Sequence, residues 1–326
     1  MSNLSPGRPS EEADIRFGLI CGAAAYALWG LFPIYFKAVE GASAFEILAH
    51  RIVWSAPFGA LVLFARKQWP EVATAFASRR IVLMLALSAT AIASNWGVYV
   101  WAVVHHHVLQ ASLGYYINPL MYVAAGVFVM GERLRPAQMA ALALAAAGVL
   151  VPTVIGGHFP FVAVALAALF TAYGYIRKTT PVGAMPGLFI ETIILAPFAL
   201  GFIIWLGVEG GAVFGAGDFS MSALLALAGP FTVIPLVAFA LAARRLRLST
   251  IGFLQYIAPT GQFLLGLYYG EAFTLASAIC FGLIWTALLI FSVDAVRANR
   301  DERKARAAAA GLAALNPAAS APPKSS

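Results

Sequence analysis

The sequence predicts an all-α polytopic membrane protein: ten transmembrane helices forming a five-plus-five inverted repeat, with both termini cytoplasmic. Three observations lead there. The 326 residues are 61% hydrophobic and only 11% charged, far from the composition of a soluble domain. Nearly every stretch between charge clusters is long enough to cross hydrocarbon as a helix, which takes about 20 residues. One string occurs twice: Tyr116-Ile117-Asn118-Pro119 followed by Gly131-Glu132, then Tyr256-Ile257-Ala258-Pro259 followed by Gly270-Glu271. No dyad-alternating segments suggest a barrel, and helices satisfy their backbone groups within each segment in lipid.

Apolar runs punctuated by Gly, Pro and charge place the helices at 17–36, 47–65, 81–101, 109–130, 136–155, 159–177, 187–206, 221–243, 249–269 and 272–292. The first follows Glu11, Glu12 and Asp14 and contains Trp29, Pro33 and Tyr35, so it is a retained helix rather than a signal peptide. The second opens on Glu46-Ile47-Leu48-Ala49-His50-Arg51 and stops at Arg66-Lys67; the third runs from Arg79-Arg80 to the His105-His106-His107 loop. The fourth carries the first copy of the repeated string, and the fifth lies between Arg135 and Gly156-Gly157-His158. The sixth ends at Arg177-Lys178, the seventh holds Glu191, and the eighth lies between Asp218 and Arg244. The ninth carries the second copy, and the tenth follows Gly270-Glu271. The chain thus divides into a polar tail (1–16), two five-helix repeats (17–155 and 156–292) and a basic, then Ala/Pro-rich disordered tail (293–326).

The charges between these spans alternate. Of 21 Lys and Arg residues, 19 fall on one side, with the termini, Lys37 falls on the other, and Arg51 lies inside a helix. The positive-inside rule makes the basic side, and both termini, cytoplasmic. Because each half has five helices, the second half starts on the opposite side from the first, which inverts the repeat. The +7 charge therefore reports topology, and nucleic acid is not a partner. The two cysteines lie in separate apolar segments and imply no disulfide framework.

Ionisable residues inside a membrane are costly unless paired or hydrated, which makes each a candidate for function. Glu46 and His50 share a face at i, i+4, and Arg51 lies one residue's rotation away. Glu191 lies inside the equivalent helix of the second half. Arg51 and Glu191 are expected to face one central cavity, either paired with each other or contacting opposite charges on a solute. A polar and aromatic set completes it: Tyr26, Trp29, Asn95, Trp96, Tyr99, Tyr115, Tyr116, Asn118, Tyr173, Gln255, Tyr256 and Gln262. Aromatic faces with polar tips suit amphipathic or cationic organic solutes. The His triplet is a polar external loop, since consecutive residues on a helix cannot converge on one ion; neither a metal nor a cofactor is called for.

Four strings now carry a resemblance: Ala25 to Pro33, Glu46 to Ser55, Ser112 to Pro119 and Gln255 to Thr260. They resemble the RarD-like branch of EamA-type transporters, within the drug/metabolite transporter superfamily, over about residues 15–295. The resemblance implies a central cavity lined by helices 1–4 and 6–9, with helices 5 and 10 peripheral. The expected function is a secondary transporter of the inner (plasma) membrane, exporting a small organic metabolite or drug-like solute by alternating access. Glu191 or His50 is the candidate proton carrier. Proton coupling and homodimer formation stay open. No Gly-x4-Gly-Lys-Ser/Thr string occurs to support ATP hydrolysis. Two other classes remain: a membrane enzyme using Glu46, His50 and Arg51, and a non-transporting scaffold.

Overall fold

The computed structural model describes residues 11–130, 134–243, 245–246, 250–251 and 254–315. Gly131-Glu132, Arg133, Arg244, Arg247 and the Ala/Pro-rich end of the predicted tail lie outside the described residues. Among the described residues all regular structure is helical: α1 (Glu11–Gly30), α2 (Phe32–Ala38), α3 (Ala44–Ala65), α4 (Trp69–Phe76), α5 (Arg79–Val104), α6 (Val108–Met130), α7 (Pro136–Gly156), α8 (Phe161–Thr179), α9 (Ala184–Val208), α10 (Phe219–Ala226), α11 (Ala228–Ala243), α12 (Ile257–Tyr268) and α13 (Leu275–Leu315).

Local chemistry sets the ends. The Ser43 hydroxyl accepts the Glu46 N–H at 3.1 Å to start α3, and Asp218 accepts the Met221 N–H at 3.1 Å to start α10. Pro136 opens α7, and Gly157 closes it in the left-handed region at φ 68°. The predicted first helix is two elements, α1 and α2, split at Leu31 because Pro33 in the first turn of α2 has no N–H to continue the ladder. The predicted eighth helix is likewise divided into α10 and α11 at Leu227. The short helix α4 was not expected: it buries Val72 and Ala75, and the Glu71 carboxylate accepts the Gly183 N–H at 2.5 Å, just before α9 begins. The tail expected from residue 293 is helical as far as Leu315, as a continuation of α13.

Eight helical spans among the described residues are long and apolar enough to cross a membrane. The predicted fourth and ninth helices are not among them. Helix α6, at 23 residues, is long enough to cross, and it carries Ser112, Tyr115, Tyr116 and Asn118. The predicted ninth helix crosses residues 247–249 and 252–253, outside the described set.

Around the periphery Phe64, Val154, Phe198, Val208 and Leu275 are each at least 74% exposed. A water-soluble protein rarely presents so much contiguous apolar surface; a lipid-facing one requires it. Inside, helices meet at small residues, as expected where lipid offers no hydrophobic drive and close van der Waals contact decides association. Gly30 of α1 and Gly261 of α12 cross backbone to backbone, with a Cβ on Gly261 lying only 3.2 Å from Gly30 Cα. Gly229 of α11 presses on the α3 backbone at Trp54. Helices α7 and α13 pack along each other at the edge, while α3 packs on α9 and α11, α8 on α5 and α6, and α1 on α11 and α12.

Candidate functional site

Between these helices lies a cavity of about 670 Å³, a size ordinary for small-molecule sites. Helices α1, α2, α3, α5, α6, α8, α9, α11 and α12 all contribute to its lining, and α7 and α13 contribute nothing. The polar residues of α6 turn inward: Tyr115 and Asn118 line the cavity, and Ser112 donates to the Pro259 carbonyl at 2.7 Å across the contact with α12. The lining reaches the surface near exposed Lys178, at the end of α8. At the other end it stops at Arg51, Phe32 and Tyr99, behind which Phe36, Val39, Val100 and Val103 are fully packed.

Of the predicted site residues, Arg51, Tyr26, Trp29, Asn95, Asn118 and Gln255 line this cavity, as do Trp96, Tyr99, Tyr115, Tyr173 and Gln262 of the aromatic and polar set. Arg51 is 5% exposed. Its Nε donates to Thr232 Oγ1 at 2.9 Å, and its guanidinium lies 4.1 Å from the ring centre of Trp96, close enough for cation–π attraction. Among the described residues no carboxylate pairs with it.

Glu191 does not meet Arg51. It lies behind the cavity wall, 1% exposed, where its Oε1 accepts from the Ser88 hydroxyl at 2.6 Å and sits 3.6 Å from Arg177 Nε. Arg177 is itself a lining residue, and its Nη2 donates to the Gly183 carbonyl at 2.9 Å. Glu191 Oε2 is buried without a hydrogen-bond partner among the described residues. Sequence reasoning counted Arg177 as one more loop cation. It missed that the last turn of α8 brings this side chain back toward the core.

Glu46 and His50 share a face, but that face turns away from the cavity. Glu46 Oε1 accepts the N–H groups of Val213 and Phe214, both at 2.9 Å, in the link between α9 and α10. The His50 ring packs 4.5 Å from Phe214, and its Nδ1 accepts from Trp54 Nε1 at 3.2 Å. Tyr116 and Tyr256 face each other on the outer side of the α6–α12 contact, with the Tyr116 hydroxyl 2.7 Å from Thr260 Oγ1. None of these four lines the cavity. In the His triplet, His105 and His107 stack on Trp101, and His106 lies 3.1 Å from Lys37 Nζ. Glu46→Ala should therefore lower stability by about 1–3 kcal/mol through two unsatisfied linker amides, and leave solute selectivity unchanged. Thermal unfolding of the detergent-purified variant beside a solute-binding titration checks both halves.

The spacing along the chain that relates Tyr116 to Tyr256 also relates Tyr35 to Tyr175, Lys37 to Arg177, Arg51 to Glu191 and Pro57 to Pro197. Helices α3 and α9 begin at Ala44 and Ala184, so Arg51 and Glu191 hold the same position on their helices.

The EamA-like transporter family matches residues 16–154. An uncharacterized transporter of Vibrio cholerae serotype O1 is 44% identical over 297 residues, covering 91% of this chain and 98% of that one. Protein RarD of Streptomyces exfoliatus is 43% identical over 308 residues, covering 94% and 98%. Protein RarD of Escherichia coli strain K12 is 41% identical over 295 residues, covering 90% and all of that chain. One solved crystal structure shares the fold, with a TM-score of 0.52 at 21% identity over 84% of this chain and 96% of the other. Eight membrane-capable helices and relatives known as transporters make this a multi-pass inner-membrane protein. The chain belongs to the EamA-like transporter family, in its RarD-like branch.

Proposed function

We propose that the chain is a secondary transporter that exports a small organic solute by alternating access around the central cavity. The observation that carries this reading is the cavity itself. It is built from both halves of the chain, reaches the surface at the Lys178 end, and is blocked at the other by packed aromatic and aliphatic side chains. Such a shape is one end state of a carrier whose halves rock about a midplane site. On the charge rule the open end is cytoplasmic, as are both termini, which suits loading for export.

The ten-helix inverted repeat is supported from three directions. The constant spacing of the paired residues aligns α3 with α9. The family match covers residues 16–154, one predicted repeat. Helix pairings have counterparts under exchange of halves: α5 with α8 answers α11 with α1, α6 with α8 answers α12 with α1, and α3 with α11 answers α9 with α5.

Glu191 is the carrier of a coupling proton in this reading, since it is buried with one oxygen unpartnered among the described residues and lies next to Arg177 on the cavity wall. His50, packed on Phe214, is not. The enzyme alternative loses its acid–base pair, because neither Glu46 nor His50 reaches the cavity.

The test is solute counterflow in proteoliposomes, with and without a pH gradient. Arg51→Gln should cut flux by about tenfold or more, the scale of losing a desolvated charged hydrogen bond. Glu191→Gln should leave counterflow and abolish the response to the gradient. Gradient-driven flux that persists in Glu191→Gln removes Glu191 from coupling, and flux indifferent to both substitutions removes the site.

A further inference from the structure

We infer that the cavity selects organic monoanions with an aromatic or apolar body, whose acid group docks on Arg51. This deepens the transport reading above and rests on it. The charge inventory of the lining carries the inference. Among the described residues Arg51, Arg177 and Lys178 line the cavity, and no Asp or Glu does. Arg177 is balanced by Glu191 at 3.6 Å from behind the wall. Exposed Lys178 stands near the surface end. That leaves Arg51 as a buried cation whose only hydrogen-bond partner among the described residues is a neutral hydroxyl on its Nε. A guanidinium presents five N–H donors in a planar fork that matches a carboxylate or phosphate. With Nε committed to Thr232, its terminal nitrogens remain to donate to an incoming oxyanion. A buried cation without a counter-charge is costly, and an anionic solute supplies that charge.

The repeat sharpens the point. At the equivalent position of the second half stands Glu191, which has its own cation in Arg177. In the first half the residue equivalent to Arg177 is Lys37, whose Nζ bonds Glu40 at 3.0 Å at the far end of α2. One half therefore balances its buried charge internally, and the other leaves Arg51 to be balanced by the cargo.

Further polar tips surround the same space. Tyr99, Asn118 and Gln262 are each at most 7% exposed and line the cavity. Among the described residues the Tyr99 hydroxyl, Asn118 Oδ1 and Gln262 Oε1 have no hydrogen-bond partner. Such atoms rarely go unsatisfied when buried, and each belongs to a residue that borders the space a solute would occupy. Between them Trp29, Trp96 and Phe239 offer ring faces for its body. The cationic solute that aromatic faces alone suggest would meet Arg51 with no carboxylate to receive it.

Three compounds of one skeleton test this: 3-phenylpropionate, 3-phenylpropanamide and 3-phenylpropylammonium, at neutral pH, with the full chain purified and reconstituted. Radiolabelled 3-phenylpropionate should bind, and the amide and ammonium analogues should compete about tenfold less well or worse, the ratio expected when one charge-assisted contact is lost. Arg51→Gln should remove the preference for the carboxylate over the amide, and Arg51→Lys should retain part of it. If Arg51→Gln fails to fold, the order of the three compounds on the unaltered chain decides. Equal or tighter binding of the ammonium compound overturns the inference, as does carboxylate binding indifferent to a folded Arg51→Gln. Counterflow separates the two levels. Arg51-dependent carboxylate binding without counterflow keeps the anion site and sinks transport of this solute class, whereas counterflow of the ammonium compound alone keeps transport and sinks the anion site.

Discussion

Gly229→Leu is expected to prevent α3 and α11 from packing and to remove most folded protein from the membrane. A Cβ at residue 229 would overlap the backbone carbonyl of Trp54 and lie 2.8 Å from the Trp54 Cβ. The obstacle is backbone, so no rotamer change relieves it. Neither helix is free to step aside. Helix α3 is tied to the α9–α10 link by Glu46, and to α11 by the 2.9 Å bond from Arg51 to Thr232, three residues beyond Gly229. Overpacking of a core costs about 1–3 kcal/mol when side chains give way and more when backbones must separate. Membrane helices have little else to compensate, because their association depends on this close contact. Gly229→Ala should show a graded version of the loss. Gly201→Leu is the control, since a Cβ there meets nothing within 4 Å. The measurement is the monodisperse fraction and unfolding temperature after detergent extraction. A Gly229→Leu protein as well folded as Gly201→Leu would mean that α3 and α11 do not approach as described.

The sequence carried the helices well, because a membrane span is a composition signal that tertiary context scarcely alters. It also marked the cavity through residues that do not belong in lipid: Tyr26, Trp29, Asn95, Asn118 and Arg51 were singled out on that ground, and all line the space. What stayed illegible depends on rotation and reach. Glu46 and His50 do share a face, but periodicity cannot say that this face meets Val213 and Phe214, which lie far along the chain beyond α9. Glu191 was recognised as buried and charged, yet its partner was read as a topology marker, since a loop-end Arg and one folded back along its helix are spelled alike. The repeat itself held the missing clue. Its spacing pairs Arg51 with Glu191 and Lys37 with Arg177, which puts like charges in one half and an ion pair in the other. Proline breaks were visible as residues but not as consequences: Pro33 follows a break between α1 and α2, whereas Pro57 and Pro197 are carried inside unbroken helices.

Arg177→Gln is expected to be the most damaging single change at the cavity wall, and Glu191→Gln in the same molecule is expected to repair much of the damage. Removing Arg177 leaves the Glu191 carboxylate, 1% exposed, with Ser88 as its one remaining donor among the described residues. Breaking a buried pair from one side costs about 3–5 kcal/mol, because the surviving charge keeps its desolvation penalty and loses its compensation. The reverse change is milder. Glu191→Gln leaves a guanidinium that borders the cavity and still donates to the Gly183 carbonyl at 2.9 Å, and the new amide can keep the Ser88 contact. With both charges gone nothing is stranded, so unfolding temperatures should rise in the order Arg177→Gln, Glu191→Gln, double variant. A double variant no better than Arg177→Gln would show that Arg177 stabilises through the Gly183 carbonyl and not through Glu191. The same molecule then separates folding from mechanism. If the double variant is stable and still binds solute but no longer responds to a pH gradient, the pair belongs to the transport cycle. If it is stable and fully coupled, the pair contributes to neither.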